Sequence, residues 1–140
     1  MTGEKKISGI KIHACVDVLG LPICLLATTA DVGDRDGVRE MIKFSHGSLS
    51  SVVALLGDGG YTGDALAGDV LRMLGAKVQI AKRSELHKFV VIPKRWVVER
   101  SFAWLDNFRR LWKNCERKLQ TSLQMTSLAF VALLLKRCRC

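Results

Sequence analysis

The order of apolar and helical segments along the chain predicts an α/β fold, with a mixed sheet flanked by helices and a helical C-terminal end. Two β-prone runs separated by a turn open the chain. Strand-like runs then alternate with segments of helical spacing, and the last third shows helical spacing only. With 140 residues, 49% apolar and 25% charged, residues 1–140 fit a single globular domain with a sizeable core.

The first two runs, Lys11–Val18 and Leu21–Thr29, predict an antiparallel hairpin. Leu19 and Gly20 separate the runs, and proline stands at the start of the second run, where a strand tolerates it. Asp17 directly precedes the turn. A structural role in that turn is the prediction for its carboxylate, because Asp side chains hydrogen-bond to nearby backbone in turns.

The next segments predict a helix and a buried strand. The polar stretch 31–36 is expected to cap a helix over Gly37–Phe44, and a loop of small residues over 45–51 follows. The apolar run Val52–Leu56 then stops abruptly at a glycine-rich turn that contains Asp58. A buried strand that ends in this way delivers a functional side chain to the edge of a sheet.

The second half of the chain is predicted to be mostly helical. The pattern over Asp64–Gly75 predicts a helix that stops at Gly75, and Lys77–Ala81 predicts a short strand. A polar loop follows, with a brief extended piece over 89–92. A long helix is expected from Arg95 onward, and a last helix over Thr121–Arg137.

Charge is distributed unevenly along the chain. The net charge is +9, but residues 1–70 carry −3 and residues 71–140 carry +12. A basic half beside a slightly acidic half favours a polyanionic partner such as nucleic acid, and the alternative is an ordinary solvated surface. Glu99 is a lone carboxylate within a basic, aromatic-rich segment, an arrangement that suits metal-assisted chemistry on phosphates.

Neither a signal peptide nor an apolar run of about 20 residues is visible, so a cytoplasmic protein without a membrane partner is expected. The five cysteines show no Cys-x-x-Cys spacing. They are interpreted as reduced thiols without function, with Cys15 and Cys24 as small apolar residues on strands.

Three sequence blocks together resemble the DDE transposases of bacterial insertion sequences, in the IS4/IS5-like group. The C-terminal block contains Arg95, three further residues, and then Glu99-Arg-Ser-Phe-Ala-Trp-Leu with a later Arg-Arg pair. The central block is 56–63, Leu-Gly-Asp-Gly-Gly-Tyr-Thr-Gly. The first block consists of two stretches, residues 9–22 and residues 30–37. The blocks occur in the family's order and cover nearly the whole chain.

The resemblance implies the C-terminal portion of an RNase H-like catalytic domain that lacks its first strand, and with it the first catalytic Asp. Asp58 matches the family's second catalytic carboxylate and Glu99 its third. They would hold Mg²⁺ or Mn²⁺ for cleavage and strand transfer of DNA. The cations expected to contact DNA at transposon ends and target are Lys94, Arg95, Arg100, Arg109, Arg110 and Lys113.

Other interpretations stay open for these residues. Asp58 also suits an ordinary turn, and Glu99 a surface charge paired with Arg95 one helical turn away. Asp106 and Asn107 stand where the family often has a cation, and the missing strand adds to the expectation that this chain alone is inactive. The alternative function is that of a non-catalytic fragment, which binds DNA or pairs with itself or with full-length transposase and interferes with it.

Overall fold

The computed structural model describes residues 9–80, 95–108 and 116–138, and these form the mixed α/β architecture that the sequence predicts. No helix within the described ranges is long and apolar enough to cross a membrane. The elements are β1 Ile10–Val16, β2 Pro22–Thr29, α1 Asp34–Phe44, α2 His46–Leu49, β3 Ala54–Gly57, α3 Asp64–Leu74, β4 Lys77–Ile80, α4 Arg95–Asp106 and α5 Leu119–Arg137, with a single 3-10 turn at Gly59–Tyr61.

The predicted hairpin is present. Strands β1 and β2 pair antiparallel from Ile10 opposite Thr29 to Cys15 opposite Cys24, and a bulge follows next to the turn. Asp17 builds the turn, because its Oδ1 accepts the backbone N–H groups of Leu19 and Leu21 at 2.9 and 3.0 Å. The structural role predicted for Asp17 is therefore confirmed.

Strands β3 and β4 form a separate parallel pair, in register from Ala54 opposite Lys77 to Gly57 opposite Ile80. The expected single mixed sheet is not present in the described ranges, where β1 pairs with β2 and β3 with β4 only. The reason is that no described strand lies between the two pairs to join them. The RNase H-like assignment therefore stays a prediction.

One apolar core nevertheless joins both strand pairs. Its buried centre includes Ile42 of α1, Leu49 of α2, and Leu66 and Val70 of α3. Cys15, Cys24 and Leu26 of the hairpin pack against it from one strand pair, and Leu55 and Val78 from the other. Helices α1 and α3 therefore hold the two pairs together by apolar burial rather than by backbone hydrogen bonds.

A second, smaller core covers the opposite face of the hairpin. Leu25 of β2, which alternates with Cys24 and Leu26, packs there against Leu105 of α4 and Phe130 of α5. The hairpin thus lies between two helical layers. The outer face of β3 is more open, since Leu56 is 42% exposed.

Several boundaries differ from those expected. Helix α1 begins at Asp34 rather than Gly37, and Gly33 precedes it without a side-chain cap, so the polar stretch forms the first turn instead of a cap. The loop predicted over 45–51 contains the short helix α2, which buries Leu49. Helix α3 ends before Gly75, whose positive φ of 69° supports the predicted stop. The extended piece over 89–92 lies outside the described residues.

Helix α1 approaches β1 closely at Gly37 and His13. His13 is buried and its Nε2 lies 2.8 Å from the Thr28 hydroxyl. Burial, together with nearby Lys11, lowers the pKa of His13. A Cβ at Gly37 would overlap the imidazole ring, so α1 approaches β1 this closely only because residue 37 has no side chain.

We predict that Gly37→Ala destabilises the protein by about 1–3 kcal/mol, because the added methyl displaces the His13 ring from its hydrogen bond. Gly68→Ala is the matched control. It adds the same methyl to helix α3, where nothing lies within 4 Å of the new Cβ. Gly68→Ala should gain up to about 1 kcal/mol from helix propensity. Urea unfolding measures both variants, and equal effects would contradict the close contact.

Candidate active site around Asp58

Asp58 stands immediately after β3, where the sequence places it, and is exposed. Its Oδ1 accepts the backbone N–H of Gly60 at 2.9 Å, and its carbonyl accepts the N–H of Tyr61 at 3.1 Å. These bonds close the 3-10 turn and fix the carboxyl group. Tyr61 packs against the core next to Gly57, and burial, followed by the charges of Asp34 and Asp58, raises the pKa of its phenol.

Asp34 is the carboxylate that sequence reasoning missed. A Cβ built on Gly60 would lie 3.2 Å from Asp58 Oδ1 and 3.8 Å from Asp34 Oδ2, so the two carboxylates flank the same point. Lys11 holds Asp34 there, because its Nζ lies 3.0 Å from Asp34 Oδ1 and 2.8 Å from the carbonyl of Val32. The sequence did contain a signal for Asp34, because this residue belongs to the first family block. The polar stretch around Asp34 was interpreted only as a helix cap.

A shallow cleft beside these carboxylates separates the first turns of α1 and α3. Arg35 lies at its mouth and donates from Nε to the carbonyl of Gly60 at 3.3 Å. Arg39 on the next turn pairs with Asp36 and Asp69, at 2.9 and 2.8 Å. Arg35 is exposed whereas Arg39 is half-buried, so Arg35 has the more open guanidinium, and its bond to Gly60 holds it on the turn that follows Asp58.

Helix α4, which carries Glu99, is fixed to the hairpin turn. Ser101 donates to the carbonyl of Gly20 at 2.6 Å, and Arg100 donates to the carbonyl of Leu19 at 2.7 Å. Gly20 has a φ of 85°, and a Cβ there would lie only 2.9 Å from Ser101 Oγ. Only glycine therefore fits this close approach.

The contact of Ser101 with Gly20 lies beyond the C-terminal end of β1, whereas Lys11, which holds Asp34, lies near the N-terminal end of that strand. A strand of seven residues spans roughly 20 Å, so the two contacts are separated by about the length of β1. Glu99 is exposed on α4, two residues before Ser101. No group of three His, Cys, Asp or Glu side chains within 9–80, 95–108 and 116–138 is arranged to hold a metal ion. The pairing of Asp58 with Glu99 therefore stays a prediction.

Among the expected DNA contacts, Arg100 is the one whose side chain is described. Its guanidinium lies 4.8 Å from the ring centre of Trp104, and Arg137 of α5 lies 4.0 Å from the same ring. Trp104 is half-buried, with an arginine from each of the two helices beside its ring. The remaining expected contacts fall outside the described side chains: Lys94, Arg95, Arg109, Arg110 and Lys113.

Comparisons with known proteins agree with the motifs. A family model described as the transposase DDE domain matches residues 1–135. A Burkholderia cepacia protein assigned as the transposase of insertion sequence element IS402 is 32% identical over 117 residues, which are 79% of this chain and 55% of that protein. A Brucella ovis protein assigned to element IS6501 is 27% identical over 124 residues, 85% of this chain and 92% of that protein. The chain therefore spans about half of the first relative. No solved structure matches.

We predict that Asp17→Ala destabilises the protein by about 1–2 kcal/mol, because two backbone N–H groups of the hairpin turn lose their acceptor. Asp17→Asn keeps an oxygen at the Oδ1 position and should cost less than about 0.5 kcal/mol. Thermal and urea unfolding compare the two variants. A stable Asp17→Ala protein would mean that the turn, and the anchor of α4 on it, do not depend on this side chain.

Proposed function

The chain belongs to the family of transposase DDE domains, and we propose on that premise that it acts in the transposition of an insertion sequence, with Asp58 and Glu99 as its metal-binding carboxylates. The family consists of transposition enzymes in general. The observation that carries the proposal is the exposed Asp58 carboxylate, fixed at the end of β3 inside a matched family block. Membership of the IS4/IS5-like group is part of the proposal.

The donor set around Asp58 suits a hard divalent ion. The hydrogen bond from the Gly60 N–H to Oδ1 fixes the orientation of the Asp58 carboxylate. The second oxygen, Oδ2, is then available as a ligand for the ion. Glu99 would supply a second carboxylate, as the family match implies. Mg²⁺ or Mn²⁺, when bound, would polarise the phosphodiester and help to generate the attacking nucleophile. The protein's own part is to hold the carboxylates and to position the DNA.

We propose that the family's first carboxylate comes from a strand that lies between β1 and β3. Two observations support this place. Within the described ranges each of the four strands has a strand neighbour on one side only, so β1 and β3 each have an open edge, and both strand pairs pack into one core. A strand between β1 and β3 would cover one open edge of each pair. Run parallel to β3, it would end beside Asp58.

The DNA partner is proposed from charge. The +12 half of the sequence includes the described cations Arg117, Lys118, Lys136 and Arg137 near the ends of α5. Cations of this kind bind phosphates and position duplex DNA without reading its sequence. Cytoplasmic localisation with association to the nucleoid, and pairing with further transposase copies at element ends, belong to the same proposal.

We predict salt-dependent binding of duplex DNA with little sequence preference. The double reversal Arg109→Glu and Arg110→Glu should weaken binding at least about tenfold across all sequences, because each phosphate contact adds to the salt-dependent affinity. The control Lys6→Glu and Lys43→Glu makes the same change of net charge in the acidic half of the sequence, and should weaken binding less. Fluorescence anisotropy at several salt concentrations measures this. Unchanged affinity in the first variant would refute the placement of the DNA surface.

We predict that the 140-residue chain binds Mn²⁺ weakly, at roughly millimolar concentration, and does not cleave DNA alone. Supplying the N-terminal part of a longer relative, fused or in trans, should give Mn²⁺-dependent nicking and strand transfer on element ends. Asp58→Asn and Glu99→Gln should then abolish cleavage. Asn keeps the acceptor for the Gly60 N–H, so the turn should stay folded.

The outcomes separate the two candidate functions. Cleavage that survives both neutralising substitutions would refute the active-site assignment. DNA binding without cleavage after complementation would favour the non-catalytic alternative, a fragment that binds DNA or pairs with transposase. Cleavage by the chain without any addition would show that its own residues complete the site, and Asp34 would be the first residue to substitute because it flanks the same point as Asp58.

A further inference from the structure

Two cysteines face each other across the hairpin. Cys15 of β1 and Cys24 of β2 are directly opposite partners in the antiparallel register. Directly opposed residues in such a pair have Cα atoms about 4.5–5.5 Å apart, within the range that a disulfide spans. Both thiols are free in this structure.

Both side chains lie on the face of the hairpin that packs into the core joining the two strand pairs. Cys24 is buried there, and Cys15 is half-buried against the same core. The interaction between the two thiols lowers the pKa of Cys24, while the same interaction and burial raise the pKa of Cys15. The fold therefore holds the two sulfurs on one side of the hairpin.

We propose that Cys15 and Cys24 form a reversible cross-strand disulfide when the protein meets a low-molecular-weight disulfide such as oxidised glutathione. One of the two cysteines, as its thiolate, attacks one sulfur of the oxidant, and one glutathione thiolate leaves. The other cysteine then attacks the protein sulfur of the mixed disulfide as its thiolate and expels the second glutathione thiolate. The protons of the two protein thiols pass to the two glutathione thiolates. Two protein thiols are oxidised and one glutathione disulfide is reduced to two thiols.

The bond would lock the hairpin on the side that packs against α1 and α2. The bulge after the Cys15–Cys24 pair already marks this end of the hairpin as irregular. A covalent link there fixes the strands next to the Asp17 turn, on which α4 is anchored. The proposal does not depend on the proposed function, because it rests on the register of the hairpin and on the shared position of both cysteines at the core.

The test is redox titration in glutathione buffers of a variant in which the other three cysteines, Cys115, Cys138 and Cys140, are serine. The folded protein should form the disulfide at a glutathione ratio at least about tenfold more reducing than the same chain in urea, because the fold holds the sulfurs together. The oxidised form should also melt at a higher temperature. Equal or weaker oxidation in the folded state would overturn the proposal.

Peptide mapping identifies the bond and needs no substitution. Cleavage before Asp17 separates Cys15 from Cys24, so the proposed disulfide joins two peptides that separate on reduction. The unaltered chain, oxidised while folded and then alkylated, should give that joined pair with a mass lower by two hydrogen atoms. A persistent glutathione adduct on either cysteine, or a bond to another cysteine in its place, would contradict the proposal.

Discussion

The burial of two strand pairs against one pair of helices is the constraint on which the rest of the structure depends. Ile42 of α1 and Val70 of α3 are fully buried between the antiparallel hairpin and the parallel pair. No described backbone hydrogen bonds join the two pairs, so apolar packing sets their relation, supported by the side-chain contacts of Arg35 with Gly60 and of Arg39 with Asp69. The position of Asp58 at the end of β3, relative to Lys11 and Asp34 beside β1, follows from that packing.

Glycine and short polar contacts refine this arrangement. Gly37 lets α1 lie against His13, and Gly20 lets Ser101 bring α4 onto the hairpin turn. Each contact joins segments that are far apart in sequence. The residues that form these contacts all belong to the sequence blocks that resemble the family. The motifs that identify the family therefore carry packing as well as the carboxylates proposed for chemistry. Ser101 illustrates this, since it follows Glu99 in the C-terminal block but is buried against Gly20.

Sequence reasoning predicted the elements that local patterns specify. The hairpin, the presence of a strand before Asp58 and the helix that stops before Gly75 were correct, because alternation, glycine turns and helical spacing are local signals. The strand before Asp58 was nevertheless expected to be buried over Val52–Leu56, whereas β3 begins at Ala54 and alternates between exposed and half-buried residues. The predicted start of α1 at Gly37 was wrong. Nothing in the local sequence distinguishes an Asp34 that caps a helix from an Asp34 that belongs to its first turn. The neighbourhood of Asp34 and Asp58 was missed because it depends on two strand pairs meeting through a shared core. The placement of Cys15 opposite Cys24 depends on the hairpin register, which the two predicted strand runs did not specify.

Hydrogen exchange as a function of urea tests the shared core most directly. If one core holds both strand pairs, the slowest amides of β1, β2, α1, α3, β3 and β4 should open together, with one free energy and one urea dependence. Amides of β3 and β4 that open at a clearly lower free energy than those of the hairpin would contradict the account. The parallel pair would then be a separate unit, and the fold alone would not fix Asp58 relative to the rest of the protein.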